Sequence, residues 1–213
     1  MWIDIGAESR EEAEKLVSVG DPVALRSNFR FLGANRFSSK GTDDKIGAFI
    51  VAETMRALAK RKLNVAVYGV GTVQEEVGLR GAKAAAWSIA PDVGIAVDVT
   101  DTGDAPCAPE VGRMAVKVGA GPTVKYKDSS LLCNPQVIAH LIKSAKKAGV
   151  AYQNEVLVAV GTDAGAMQRS RGGVLSGAVS LPCRNIHNPG EVVSLSDLEG
   201  AAKLIAAAAE LEF

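Results

Sequence analysis

The sequence is short of several things, and each shortage excludes something. Its three cysteines, Cys107, Cys133 and Cys183, are far apart and form no CxxC pair. That leaves no disulfide framework and fits a reducing, cytoplasmic setting. Charge of one sign is lacking too: Lys+Arg is 24 and Asp+Glu is 24, so the net charge is zero. A strong electrostatic attraction to nucleic acid or to an anionic membrane is therefore not expected. Long apolar runs are missing, because Lys, Asp or Gly interrupts each one, and no membrane span is expected. Met1 to Gly6 has neither a basic leader nor an apolar segment of the secretory kind. There is no internal repeat. Histidine is rare, with only His140 and His187.

What is present suffices for a core. Hydrophobic residues make up 47% of the 213 residues and charged residues 23%. The N-terminal stretch to about Arg30 reads as short strands and turns around one helix, which Ser9 caps. From Phe37 the pattern becomes an alternation of helices and strands. Helices are expected over Asp44–Arg61, Gly81–Ile89 and Asn134–Ala148, with a last one opened by a Ser196–Glu199 capping box. Apolar strands are expected over Asn64–Thr72, Asp92–Thr100, Met114–Gly119, Glu155–Val160 and Val174–Cys183. Strands apolar on both faces, alternating with helices, give the α/β class with a sheet between helix layers.

Acidic residues stand at the ends of these strands. Asp43 and Asp44 precede the first long helix, Glu75 and Glu76 follow Thr72, and Asp98 ends the Ile95–Val97 run. His187 follows the strand ending at Cys183. Loops beyond strand ends converge on one crevice in open α/β sheets. Carboxylates with one imidazole there suit a divalent cation at a hydrolytic centre. Taken singly, each has an ordinary alternative: an Asp pair caps a helix, a Glu pair is solvated in a loop, and a lone His packs in a core. Asp98 is the least ordinary, because an unpaired carboxylate between Val97 and Val99 in a buried strand is costly.

Five segments occur in order: Gly41-Thr-Asp43-Asp44-Lys-Ile-Gly47, Val73-Gln-Glu75-Glu76-Val-Gly78-Leu-Arg-Gly81, Val97-Asp98-Val99, Gly161-Thr162-Asp163-Ala164, and Pro182-Cys-Arg184-Asn-Ile-His187-Asn-Pro189-Gly-Glu191. Together they resemble the glutamyl-aminopeptidase and tetrahedral aminopeptidase family of co-catalytic metallopeptidases, some of which carry an older endoglucanase label. The resemblance implies a zinc-peptidase-like mixed sheet sandwiched between helices. It implies residues 37–213 as a catalytic domain incomplete at its N-terminus, and residues 1–36 as the remnant of an inserted β-domain. It makes Asp43 the carboxylate bridging two metals, Glu76 and His187 ligands of one, and Asp98 a ligand of the other. Glu75 becomes the general base. Asp44 supports Asp43 through a non-proline cis peptide, and Gly161, Thr162 and Asp163 line the substrate pocket. Arg184 is either a partner behind the site or a surface cation.

The sequence departs from the family at one ligand, a His in a His-x-Asp motif that has no counterpart here. The expectation is one complete metal site, for zinc or cobalt, where the family holds two. Peptide is the expected substrate. Homo-oligomer formation is expected to be altered, because the family dimerises through the inserted domain. The alternatives are a non-catalytic, degenerate subunit of the same family and a metal-independent glycoside hydrolase with two carboxylates.

Overall fold

In the computed structural model, residues 2–26, 29–106 and 114–210 are described; Cys107 lies outside them. The elements run α1 (Arg10–Leu16), β1 (Arg30–Leu32), β2 (Arg36–Ser39), α2 (Thr42–Leu58), α3 (Arg80–Ile89), β3 (Val93–Thr100), β4 (Thr123–Lys127), α4 (Pro135–Lys147), β5 (Gln153–Val156), α5 (Asp163–Gln168), β6 (Leu175–Pro182), β7 (Glu191–Ser194) and α6 (Leu195–Glu210).

The central sheet has the order β3-β6-β4-β5. β3 and β6 are parallel, as are β4 and β5, while β4 meets β6 antiparallel, so the sheet is mixed. Alternation along the strands separates its two faces. Val99 of β3 with Val179 and Leu181 of β6 packs on Ile46 and Ile50 of α2, Val137 and Leu141 of α4, and Ala201 and Leu204 of α6. Ala96 and Ala178 point the other way, toward Ala164 and Met167 of α5. α3 packs outside α5. Helices therefore flank both faces. α4 comes close to β6 because Gly177 has no side chain: a Cβ there would stand 2.6 Å from Val137 Cγ1. A second, antiparallel sheet, β1-β2-β7, joins the N-terminal stretch to the chain just after the His187 turn. α1 buries none of its residues; its Ser9 cap, which accepts from Glu12 N–H at 3.1 Å, is as expected.

Five expectations need correction. The strand expected over Glu155–Val160 is paired only as far as Val156, and no strand precedes Arg30 among the described residues. Asn64–Thr72 is not a strand of either sheet, and Val65, Tyr68 and Val70 are exposed. Apolar content alone does not make a strand; the run also needs a neighbour for its N–H and C=O groups. Met114–Gly119 is likewise unpaired with any strand, although Val116 and Val118 are buried. The Gln153 side chain takes the neighbour's place, accepting from Lys117 N–H and donating to Lys117 C=O, each at 2.9 Å. The capping box does not form. α6 begins at Leu195, Ser196 bonds with Asn35 and Ser194, and buried Asp197 accepts from Gly119 and Gly121 N–H.

Candidate metal centre

β2 delivers the chain to Gly41, whose left-handed φ of 67° turns it into α2. The first turn of α2 is broken: Asp43 (φ −79°, ψ 108°) and Asp44 (φ −121°, ψ 49°) leave helical values, and the peptide bond between them is cis. The Asp43 carboxylate faces the His187 turn. Asp44 points back, accepting from Gly47 N–H at 2.9 Å. Gly47 is needed there, because a Cβ would lie 2.1 Å from Asp44 Oδ2.

The loop after Thr72 is tight. Gln74 and Leu79 have positive φ, Gly78 and Leu79 N–H both donate to Glu75 C=O, and Gly81 N–H closes on Val73 C=O. Glu76 emerges exposed and Glu75 half-buried. The His187 turn hangs between Cys183 and β7 and is closed by mutual Arg184–Val192 backbone bonds. His187 has a left-handed φ of 61°.

These segments meet. His187 Nε2 lies 3.0 Å from Asp43 Oδ2 and 3.3 Å from Glu76 Oε2. Ligand atoms of Asp43, Glu76 and His187 fall within 4.8 Å of one another, and so do those of Asp43, Asp44 and Asp98. Asp98 comes from β3, where its Oδ1 accepts from Val99 N–H at 2.7 Å. All five residues are thus brought into one cluster that shares Asp43. His140 takes no part: it is buried in α4 with Nε2 2.8 Å from Ala208 C=O.

Electrostatics mark the cluster as short of positive charge. Burial, then the neighbouring Glu76, pushes Asp43 up to about 6. Glu75 rises to about 7 through burial, with Asp163, Glu76 and Asp43 adding to it. Burial and Asp98 push Asp44 up to about 9. Asp98 itself is raised well above the usual carboxylate range by burial and by Glu75. The cation most relevant below the cluster is Lys125, fully buried, whose Nζ stands 2.6 Å from Glu155 Oε1 and 3.9 Å from Asp128 Oδ2. Thr100, two residues beyond Asp98, donates to the same Glu155 oxygen at 2.7 Å.

The three pocket residues part company. Asp163 accepts from Thr72 Oγ1 at 2.5 Å, and its Oδ1 has no hydrogen-bond partner. Thr162 is buried and donates inward to Asp128 Oδ2 at 3.0 Å. Gly161 sits against Ser130, whose Oγ would be 2.7 Å from a Cβ at this position. Thr162→Val is accordingly expected to act on the fold: about 1–3 kcal/mol of stability, measured by urea denaturation, for leaving a buried acceptor short of a donor. A variant of unchanged stability would mean that the bond to Asp128 contributes nothing. Arg184 is neither a partner of the ligands nor a free surface cation. It forms a two-pronged pair with Asp104 at 3.0 and 2.8 Å, and that contact holds the Asp104 carboxyl down at about 2.

Sequence reading gave no role to Glu191 or to the Lys125–Glu155 pair. Glu191 stands four residues after His187 across a Pro-Gly turn, a spacing that could have drawn notice. Nothing in Thr123–Lys127, with two lysines in five residues, signals a buried strand.

An α/β fold with carboxylates and one imidazole gathered from loops, a broken helix start and a strand is the frame of a hydrolase whose donor set suits a divalent ion. The family profile described as M42 glutamyl aminopeptidase matches residues 1–204, and the chain belongs to that family. A curated protein of Acetivibrio thermocellus, provisionally named an aminopeptidase, is 48% identical over 205 residues, covering 96% of this chain and 60% of its own length. An aminopeptidase of the archaeon Desulfurococcus kamchatkensis superposes with a TM-score of 0.91 at 39% identity, covering 98% of this chain and 59% of that one. The Pyrococcus horikoshii TET1 peptidase, described as assembling into a tetrahedron or a large octahedral shell, superposes with a TM-score of 0.83 at 36% identity, covering 97% and 59%. The chain thus spans about 60% of the length of the relatives it matches.

Proposed function

We propose that this chain carries the peptide-hydrolysing centre of a metal-dependent aminopeptidase, with Asp43, Glu76 and His187 holding one divalent ion, zinc or cobalt. The observation that carries the reading is the convergence of His187 Nε2 on Asp43 and Glu76, at 3.0 and 3.3 Å. Two carboxylate oxygens and an imidazole nitrogen suit such an ion, and a carboxylate pushed up by burial and by the neighbouring Glu76 gains from a cation beside it. A bound divalent ion polarises a peptide carbonyl and makes water more acidic. Asp98, with Asp43, offers a second and weaker position that lacks an imidazole among the described residues.

Glu75 is the proton carrier. Its carboxylate takes a proton from the attacking water and returns it to the leaving amine nitrogen, and a group poised at about 7 suits both transfers. Asp44 anchors the turn that aims Asp43. Asp163 offers its unpartnered oxygen to a donor on the substrate, while Gly161 lets the loop that carries Thr162 and Asp163 pack closely on Ser130. Part of the same proposal is the division at residue 36, with 37–213 as the catalytic unit and 1–36 as a peripheral remnant. The exposure of α1 supports it, and the pairing of β2 with β7 ties the boundary to the catalytic part. Homo-oligomer assembly is proposed by similarity to the TET1 peptidase.

One observation favours a second reading, a non-catalytic subunit: among the described residues the Asp43–Asp98 position has no nitrogen ligand, and His140 is held elsewhere. A glycoside hydrolase would leave His187 without a role; hydrolysis of a cellulose-like substrate persisting in strong chelator would favour it.

Zinc titration followed by thermal melts at two pH values tests the metal reading. The carboxylates concerned have unfolded values near 4 and folded values raised to about 6, 7 and 9. The folded chain then holds more protons than the unfolded one between about pH 4 and 9, so the metal-free protein loses stability as pH rises through that window. Zinc takes the place of the proton on Asp43, and its charge favours the ionised form of the carboxylates around it. Its stabilisation is therefore expected to be small at pH 5.5 and large at pH 8. At a hundredfold excess over Kd the gain at pH 8 is about 2.7 kcal/mol, or roughly 5–11 °C in Tm for a chain of this size. An equal shift at both pH values, or none at either, counts against the site.

A further inference from the structure

We propose that Glu191 is the positioning residue of the metal centre, a single buried carboxylate that fixes the backbone of Asp43 and of His187 at once. The inference rests on the metal reading above and adds to it the means by which two distant segments are held in register. Glu191 is 2% exposed. Its Oε2 accepts from Thr42 N–H at 2.5 Å and from Asp43 N–H at 3.2 Å, and its Oε1 accepts from His187 N–H at 3.2 Å. One oxygen thus serves the Asp43 segment and the other serves the His187 turn.

The placement follows from the small sheet. β2 pairs with β7 so that Ser39 stands opposite Glu191. Three residues beyond Ser39 the chain reaches Thr42, so the start of β7 lies beside the start of α2. On the other side, the Arg184–Val192 bonds close the turn that carries His187 back onto β7. Glu191 is the point where these two constraints meet.

A buried carboxylate needs compensation. None of the ion pairs among the described residues includes Glu191. Its compensation comes from three backbone N–H donors, and hydrogen bonds to a charged acceptor are the stronger kind. A helix cap would be the ordinary explanation for two of the three. It does not cover the third, since the His187 N–H belongs to no helix. Nor does it suit the first two well, because α2 departs from helical geometry at Asp43 and Asp44 and its regular turns begin only afterwards. The bond to His187 also supports a residue with φ of 61°, a conformation that a side chain other than glycine adopts at a cost.

Glu191→Gln is the discriminating variant. It keeps the shape and one acceptor but turns the other oxygen into an NH2 group, so one of the two segments faces a donor where it had an acceptor. Glu199→Gln, an exposed change on α6, serves as the control. Zinc affinity is measured by calorimetry, and amide hydrogen exchange at Thr42, Asp43 and His187 is measured in the metal-free protein. The expected result for Glu191→Gln is a loss of zinc affinity of about 10–100-fold, the range for partners behind a metal ligand. Faster exchange should be concentrated at those amides, and the metal-free Tm should fall by roughly 2–12 °C relative to the control, the shift expected for one buried hydrogen bond left unmade. Unchanged zinc affinity in a parent that binds zinc overturns the proposal. So does exchange that speeds up equally across the whole chain, which would make Glu191 a general stabiliser. A parent that binds no zinc sinks the metal reading instead; the exchange data then decide the positioning role alone, and unchanged exchange at His187 and Asp43 overturns it.

Discussion

Replacing Glu75 by Gln is expected to slow hydrolysis of a chromogenic amino-acid amide, with zinc or cobalt present, by about 10²–10⁴-fold, the usual cost of losing a positioned proton carrier. Zinc affinity should stay within a small factor of the parent's. The contrast follows from geometry: Glu75 belongs to neither group of converging ligand atoms, although its charge is felt at Asp44 and Asp98. The pH profile carries a second signature. Glu75 is raised to about 7 without a metal, and a bound cation draws it lower; the parent's rate should fall on the acid side as this group takes up a proton, and that limb should vanish in the residual activity of the variant. Full activity in Glu75→Gln would remove the assignment. A parent inactive with either metal, yet binding zinc, would point to the non-catalytic subunit.

His187→Ala is expected to lose metal and turnover together. The imidazole is the one nitrogen donor in the cluster, and His140 is held by Ala208 C=O on α4, so nothing among the described residues replaces it. The fall in zinc affinity should exceed the 10–100-fold cost of losing a group behind a ligand. Stability without metal should change little, because the ring is 59% exposed and packs in no core. Zinc calorimetry on both variants separates the roles. Equal loss of zinc from Glu75→Gln and His187→Ala would mean that Glu75 holds the ion too. Retained affinity in His187→Ala would move the ion to the Asp43–Asp44–Asp98 group.

The parts of the fold that could be read from sequence are those whose stabilisation is local or repetitive. β3 and β6 announce themselves by short stretches of Val, Ile, Ala and Leu between small or polar residues, and α4 by Asn134, Pro135 and the spacing of Val137, Leu141 and Ala145. What could not be read depends on distant partners. Ser196 has the pattern of a cap, but Asn35, 161 residues away, takes its side chain. Asp197 serves the Gly119–Gly121 turn instead of its own helix. β4 looks polar because of Lys125, whose charge is met by Glu155 across the sheet, a pairing that no local pattern encodes. β5 begins two residues earlier than its apolar run, since Gln153 and Asn154 already pair with Thr123 and Val124. In the site, the ligand candidates could be recognised only by their order along the chain, while Glu191 acts through backbone N–H groups that every residue possesses and so leaves no signature of its own.

The unpaired stretch from Asn64 to Thr72 has a practical consequence for anyone handling the protein. β3 is an edge strand of its sheet, and the stretch presents Val65, Tyr68 and Val70 to solvent. Unsatisfied strand edges beside exposed apolar side chains invite a neighbouring molecule to add a strand, which is how folded proteins begin to aggregate. Zero net charge gives little mutual repulsion to oppose this near neutral pH. Concentrated stocks are therefore best kept cold and, at mildly alkaline pH, with zinc present, since the metal-free chain loses stability as pH rises; a lysine at position 65 or 70, facing outward, would act as a gatekeeper against self-association without touching the metal ligands.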